Sequence, residues 1–494
     1  MPNSHTPHSG RALYFRQSSA HSCRIDHAFH CADQIPAQEL LSFNQIALTV
    51  ASPASCVTNQ ADPVSERSDV KNPIRAAALT LVCSSAWTRT SRWIRGTERW
   101  TELAEEFDGS YARAEIVAYF GDPVSKFYQL EQWLPVLEEL NRKHKVAIVL
   151  RRPSSLLRAQ ESTRLPLVLK RKFDPLHTFY HANDFKLALY VNNGMTNFQS
   201  LGFAPMVHVH VNHGESDKLS MVSNQAKAYD RVFVAGQAAI DRHRKALLDF
   251  DESKLTRVGR PQLDVRRAPE LDQSTAHTIM YAPTWEGENE SNNYTSVDLF
   301  GPQIVEAVLG LENTRLIYKP HPRIESSKDP NMVDAHERIY ELIDQANASI
   351  EDTKLQHQVL PRGDVLAMFD ALDTLITDVS SVGLDFLYLR PDKPLILTDR
   401  RNDTQKLHRD APVSRATPII NESTATELTP LIVKAVQDDE SAQTRNELRT
   451  YYFGEGGRGT STQQFFDEVS ALINQRTLDL ANFHDAGSSA ESSE

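Results

Sequence analysis

Cysteine is scarce in this chain and confined to one end. The 494 residues hold four, Cys23, Cys31, Cys56 and Cys83, and none follows. The main body therefore has no material for a disulfide or a thiolate metal site. Long apolar runs are missing too. The longest, such as Ala76 to Cys83, reach about eight residues, where a membrane span needs about 20. The first twenty residues are polar and rich in His and Ser, so no secretion signal is expected. No Gly-Lys-Ser/Thr follows a glycine-rich run, and neither G-x-S-x-G nor H-E-x-x-H occurs. No Asp-x-Asp follows an expected strand, so chemistry without a bound metal or cofactor is the default expectation.

What is present is an acidic chain of ordinary composition. The net charge of −12, with 24% charged and 40% hydrophobic residues, excludes wholesale disorder and argues against a general nucleic-acid binder. The charge is unevenly spread. Between Arg142 and Lys172 stand ten Lys and Arg residues (Arg142, Lys143, Lys145, Arg151, Arg152, Arg158, Arg164, Lys170, Arg171, Lys172) against Glu161 alone. Charge runs are usually solvated faces. Here apolar stretches at 146–150 and 165–169 interleave, which suits contact with an anionic polymer or membrane surface.

Residues 1–100 show no sustained helical or strand period over most of their length and read as a poorly ordered extension. The cluster His21, Cys23, His27, His30, Cys31 lacks the second knuckle of a zinc finger and reads as a chance grouping. From about residue 110 strands and helices alternate. Strands are expected at 114–120, 146–150, 187–191, 207–211 and 231–235, with helices at 126–142, 216–229 and 237–248. The rhythm restarts with strands at 278–281, 315–318, 374–376 and 394–397, and helices at 299–311, 333–346 and 381–389. This predicts an α/β protein of two facing, doubly wound parallel domains, 110–260 and 275–475, with a ligand cleft at the carboxyl ends of the strands. The last helix is expected at 462–473, and the acidic, Ser-rich stretch 479–494 as a disordered tail.

Four segments fall just after expected strands. In Asn212-His213-Gly214-Glu215-Ser216-Asp217, an imidazole with an ordinary pKa near 6.5 could take a proton from a hydroxyl, or merely bond to backbone. In Lys319-Pro320-His321-Pro322-Arg323, two prolines stiffen a loop whose Lys, His and Arg suit a diphosphate. In Thr377-Asp378-Val379-Ser380-Ser381, small hydroxyl residues open a helix. Its N–H groups and positive dipole end attract phosphate, although plain N-capping explains them equally well. Asp385, one turn on, could accept from a ribose hydroxyl or face solvent. Pro283 and Thr284, in Ala282-Pro283-Thr284-Trp285, are the least distinctive.

Taken in order, His213-Gly214, the Gly-x-Pro-x-x-Asp run at 259–264, YAPTW at 281–285, KPHPR at 319–323 and TDVSSVGLDFLYL at 377–389 resemble the CDP-glycerol glycerophosphotransferases, among them teichoic-acid primases and polymerases. The resemblance covers roughly residues 180 to 470. It implies two Rossmann-like domains of the GT-B type, a CDP-glycerol or related CDP-polyol donor, an anionic polymer or glycolipid acceptor, and a cytoplasmic protein attached peripherally to the inner membrane face. Carried over by position, it implies His213 as catalytic base, with Gly214, Glu215, Ser216 and Asp217 completing its loop. Pro283, Thr284, Lys319, Pro320, His321, Ser380, Ser381 and Asp385 would contact the donor, and Arg323 would help neutralise its diphosphate. The chain departs from the pattern at Asn212 and Glu215, where the family often reads W-H-G-T, and at Gln262, where many members carry Arg. Two other readings compete: a GT-B glycosyltransferase using a nucleotide sugar, and an inactive binding protein for anionic polymers.

Overall fold

The computed structural model describes residues 103, 105–109, 112–218 and 221–491, with side chains to residue 482. The expected extension 1–100, with its Cys and His cluster, lies outside them. Among the described residues no helix is long and apolar enough to cross a membrane.

Among the described residues thirteen strands form two sheets, and every pairing is parallel. The first runs β3-β2-β1-β4-β5-β6-β7, with β1 Ile116–Phe120, β2 Val146–Leu150, β3 Leu167–Leu169, β4 Leu187–Tyr190, β5 Val207–His210, β6 Arg231–Val234 and β7 Leu255–Arg257. The second runs β10-β9-β8-β11-β12-β13, with β8 His277–Ala282, β9 Thr314–Tyr318, β10 Gln358–Val359, β11 Thr374–Thr377, β12 Leu395–Thr398 and β13 Ile419–Ile420. Helices cover both faces, so central strands such as IVAYF and VAIVL are buried at every position. This is the doubly wound parallel architecture that the alternating rhythm predicts, in the two-domain GT-B form that the resemblance implies. Strand order reverses between β1 and β4 and again between β8 and β11, and at such reversals a crevice opens beyond the carboxyl ends of the strands.

Three local expectations change. Among the described residues of the helix expected over 216–229 no α-helix forms; Met221 and Asn224–Ala228 are 3-10. Its polar residues find tertiary partners instead, Asp217 on Arg242, which also holds the preceding Glu215, and Lys218 on Thr284. The final helix runs Thr460–Glu491, through the stretch expected as a tail from 479. No proline interrupts it and its one glycine, Gly487, comes near the end. It also crosses back from the second sheet to the first: Phe465, Val469 and Ile473 join the core around Phe120, Trp133 and Leu140. The sequence-based boundary that gave 275–475 to one domain therefore misplaces this helix.

The basic segment does not form one face. Arg142, Lys143 and Lys145 stand just before β2 and Arg164 just before β3, at the amino edge of the first sheet. Arg158 is spent on Glu131 and Glu161. Arg151, Arg152, Lys170, Arg171 and Lys172 follow β2 and β3 and so reach the carboxyl edge. Two of these five are buried: Lys170 pairs with Asp108, and Arg151 donates to the Tyr119 hydroxyl (3.2 Å) and the Arg171 carbonyl (3.1 Å).

Candidate functional site

His213 is placed by a backbone reversal. Asn212 adopts φ 53°, a left-handed conformation that Asn tolerates better than most residues. The Asn212 carboxamide accepts the His213 N–H at 2.8 Å, and its carbonyl accepts the Trp133 indole N–H at 2.6 Å. The departure at position 212 thus has a local physical reason. The half-buried ring meets Tyr128 edge to face at 5.9 Å, and its Nδ1 is buried with no hydrogen-bond partner. Burial, with the Arg260 guanidinium adding to it, pushes the imidazole down to about 4, against the opposing effect of the Val191 carbonyl. It is neutral at pH 7 and can accept a proton.

Arg260 and Asp385 were not expected as a pair. Arg260, from the Gly-x-Pro segment, is 5% exposed, as is Asp385. Nη2 donates to Oδ2 at 3.3 Å; Nη1 stands 3.1 Å from Oδ1 but out of line, so Nη1 and Nε have no acceptor. Burial pushes Asp385 up to about 6 while Arg260 holds it down. Asp385 is turned to Arg260 and not to solvent. A Cβ on Gly214 would lie 3.6 Å from Arg260 Nη1 and 3.8 Å from Ser381 Cβ, so the His213 loop, the guanidinium and the start of the helix Ser381–Leu389 meet at one point. Ser380 caps that helix without bonding to it, and its Oγ is buried and unpartnered. Together Arg260 and the helix start present unmet donors from two elements, beside the His213 loop. Donors of this kind suit an anion.

The switch point of the second sheet supplies the other wall. Asp378, fully buried after β11, accepts the Thr284 N–H and the hydroxyls of Ser296 and Thr398, each at 2.6 Å. It thereby fixes the Pro283-Thr284 loop after β8 to the loop after β11. Burial pushes it up to about 6, opposed by these hydrogen bonds and by Lys218. The Pro283 carbonyl accepts the His321 N–H at 3.3 Å, joining the loop after β9. Pro320 is buried between Lys319 and His321.

Lys218 was missed by the sequence reading, being placed inside a helix that does not form. It crosses to the second sheet, where Nζ donates to Thr284 Oγ1 at 3.1 Å and lies over the Tyr294 ring at 5.5 Å. Only its position five residues after His213, in a strand-end loop, could have flagged it. Lys319 is buried, with Nζ 3.4 Å from the Pro361 carbonyl. His321 stacks on Trp285, and the Arg323 guanidinium lies over the same indole at 4.3 Å. Burial, then Lys218, Arg323 and Lys319, push His321 down to about 4. The expected trio of cations is therefore two cations and a neutral imidazole. Its Nδ1 accepts the Arg323 N–H at 3.2 Å, which leaves Nε2–H free to donate.

Glu215 and Asp217 are held by one guanidinium. Both pair with Arg242, and Asp217 also accepts the Tyr452 hydroxyl. The Ser216 hydroxyl accepts the Lys218 N–H at 3.1 Å. These contacts shape the loop, and Glu215 lines one cavity with Gly214 and Arg260. Among the described residues no three His, Cys, Asp or Glu side chains gather as a metal site.

A crystal structure described as a UDP-N-acetylglucosamine 2-epimerase of Listeria monocytogenes is similar in fold, at TM-score 0.51 and 13% identity, over 74% of this chain and 98% of that one. The wall teichoic acid polymerase TagF aligns at TM-score 0.45 and 15% identity, over 80% of this chain and 100% of that one. No curated protein matches by sequence. The family model for CDP-glycerol:poly(glycerophosphate) glycerophosphotransferases matches residues 140–466, which take in every strand but β1 and the loops that carry His213, Arg260, Thr284, Lys319 and Ser380. The chain belongs to that family, and its reaction is of the CDP-glycerol glycerophosphotransferase type.

Proposed function

We propose that the chain transfers glycerol phosphate from CDP-glycerol, or a related CDP-polyol, to a hydroxyl of an anionic polymer, glycolipid or glycan, with CMP leaving and His213 as general base. The observation that carries this reading is the meeting of a neutral imidazole with the unmet donors of Arg260 and Ser380 at the start of the helix Ser381–Leu389. The acceptor oxygen attacks the β-phosphorus and an O–P bond forms. The P–O bond to the bridging oxygen breaks, and its electron pair leaves with CMP. The acceptor's proton passes to His213. Arg260, the Ser380 hydroxyl and the N–H groups around Ser381 hold the diphosphate, while Lys218, Lys319, Arg323 and the His321 N–H spread its charge. Arg260 supplies the guanidinium that Gln262 does not. Gly214 lets donor and guanidinium approach, and Glu215, Ser216 and Asp217 fix the loop through Arg242 and backbone. Pro283 and Thr284 border the donor. We place the protein in the cytoplasm, peripheral on the inner face of the membrane.

Formation of CMP from CDP-glycerol on an acceptor tests the reading, with a nucleotide sugar as the competing donor. Release of sugar and none of CMP would overturn it. Lys218→Ala is expected to raise the KM for donor about tenfold with kcat less affected, the loss of one charge-assisted contact. A kcat loss at unchanged KM would remove Lys218 from ground-state binding.

The pH profile follows from His213. The base works when neutral, so kcat/KM holds at neutral pH and falls as pH drops through about 4, the value for the empty site. A bound diphosphate beside Arg260 favours the imidazolium and raises that value. The acid limb of kcat therefore lies at higher pH than that of kcat/KM. The reverse order would place the diphosphate away from His213.

A further inference from the structure

A cavity on the first sheet is not used by the chemistry above. It opens beyond the carboxyl ends of β5, β6 and β7 and measures about 550 Å³, open solvent at its mouth included. Gly214 and Arg260 line it, so it adjoins the anion site. Asn212, Glu215 and Gln262 line it as well, the three positions at which the chain departs from the family pattern. The fold brings them together with His210, the last residue of β5.

These four residues hold polar groups that the fold leaves unused. His210 is 4% exposed, and its Nε2 is buried with no hydrogen-bond partner among the described residues. Burial, then His243 and His213, push the imidazole down to about 3, so the ring is neutral at pH 7. Gln262 is 3% exposed, and its side-chain amide makes no hydrogen bond among the described residues. Glu215 pairs with Arg242 through Oε1, while Oε2 accepts nothing among them. Asn212 spends its side-chain oxygen on the His213 N–H and keeps its amide N–H groups.

The chemistry of the walls selects an uncharged, hydroxyl-bearing group. Arg242 carries two carboxylates, those of Glu215 and Asp217, so this wall holds an excess of negative charge and disfavours an anion. Between the polar groups stand Trp133, Val211, Val234 and Val258, which suit a carbon skeleton. A hydroxyl both donates and accepts, and so meets an imidazole, an amide and a carboxylate alike. His213 does not line the cavity; its ring meets Tyr128 and the Val191 carbonyl. An acceptor hydroxyl has to reach that ring. The group that fits the cavity is therefore the donor's polyol, attached to the phosphate beside Arg260.

We propose that this cavity receives the polyol of the CDP-activated donor and favours one with more free hydroxyls than glycerol phosphate carries. Glycerol phosphate has two, fewer than the unused groups of His210, Asn212, Glu215 and Gln262. A five-carbon polyol phosphate has four. This choice of donor rests on the transferase reading, whereas binding is measured without turnover.

The test is titration of the full chain with CDP-ribitol, CDP-glycerol and CDP, read as thermal stabilisation. CDP-ribitol is expected to bind about tenfold more tightly than CDP-glycerol, the worth of one or two further hydrogen bonds. Gln262→Leu and Glu215→Thr should each cut that preference to about threefold, with binding of CDP unchanged because it carries no polyol. Midpoints without ligand check that the variants fold. Gln262→Leu breaks no side-chain hydrogen bond among the described residues, so it decides the matter if Glu215→Thr is unstable. Equal binding of the two CDP-polyols, or tighter binding of CDP-glycerol, would overturn the proposal. So would a preference that neither variant moves, which would leave the cavity to ordered water. Variants that raise the KM for acceptor while CDP-ribitol binding holds would give the cavity to the acceptor instead. Failure of the transferase reading would show separately, as no CMP formed from either CDP-polyol by the unaltered protein.

Discussion

His213→Ala should lower kcat by 10²–10⁴-fold, the usual worth of a positioned general base, while leaving CDP-glycerol binding close to intact. The separation follows from the geometry. The donors assigned to the diphosphate come from Arg260, the Ser380/Ser381 helix start and the Lys319–Arg323 loop, and the imidazole contributes none of them. Binding is read as thermal stabilisation by CDP-glycerol, about 2.7 kcal/mol at 100 times the dissociation constant. The variant should keep most of that shift. Removing the ring also relieves the buried, unpartnered Nδ1, so the unliganded protein should not be much destabilised. Equal losses of rate and of donor binding would make His213 a binding residue and leave the base unassigned.

The second large effect is on stability. Arg260→Met removes one partner of an ion pair whose two side chains are 5% and 7% exposed, leaving the Asp385 carboxylate uncompensated. Breaking such a pair costs about 3–5 kcal/mol. Part of this is avoided because Asp385, already raised to about 6 with its partner present, can take up a proton. Adding Asp385→Asn should restore most of the stability, since a neutral amide needs no cation. Donor affinity should not return with it, because the guanidinium that faces the diphosphate is still gone. A double-mutant cycle on Tm and on CDP-glycerol binding separates the two. If the double variant binds donor as well as the unaltered chain, Arg260 serves only the fold. Were the single variant as stable as the parent, the ion pair would have no structural weight.

Much of the architecture was legible because its signals are local. Apolar runs buried on both faces, such as Val146 to Leu150, have no other stable use than a central parallel strand, and their alternation with helical stretches implies crossovers. The loops after β8, β9 and β11 were legible for a related reason, since strand ends in such sheets are where ligands bind. Short elements were less so. Leu165 to Leu169 read as an apolar interruption of a charge run, yet three of its residues pair with β2. Three residues carry no period.

The sequence by itself determined the class of fold, the identity of the loops and the family pattern they share, because each is written in consecutive residues. The tertiary structure alone decided what those residues face. Glu215 and Asp217 meet Arg242, Asp385 meets a guanidinium 125 positions away, and Lys218 leaves its own domain for Thr284. Nine of the run of ten cations divide between opposite edges of a sheet, because each strand carries the chain from one edge to the other and each helix brings it back. Charge counted along a chain adds up. Across a parallel sheet it is sorted, and only the fold says to which side.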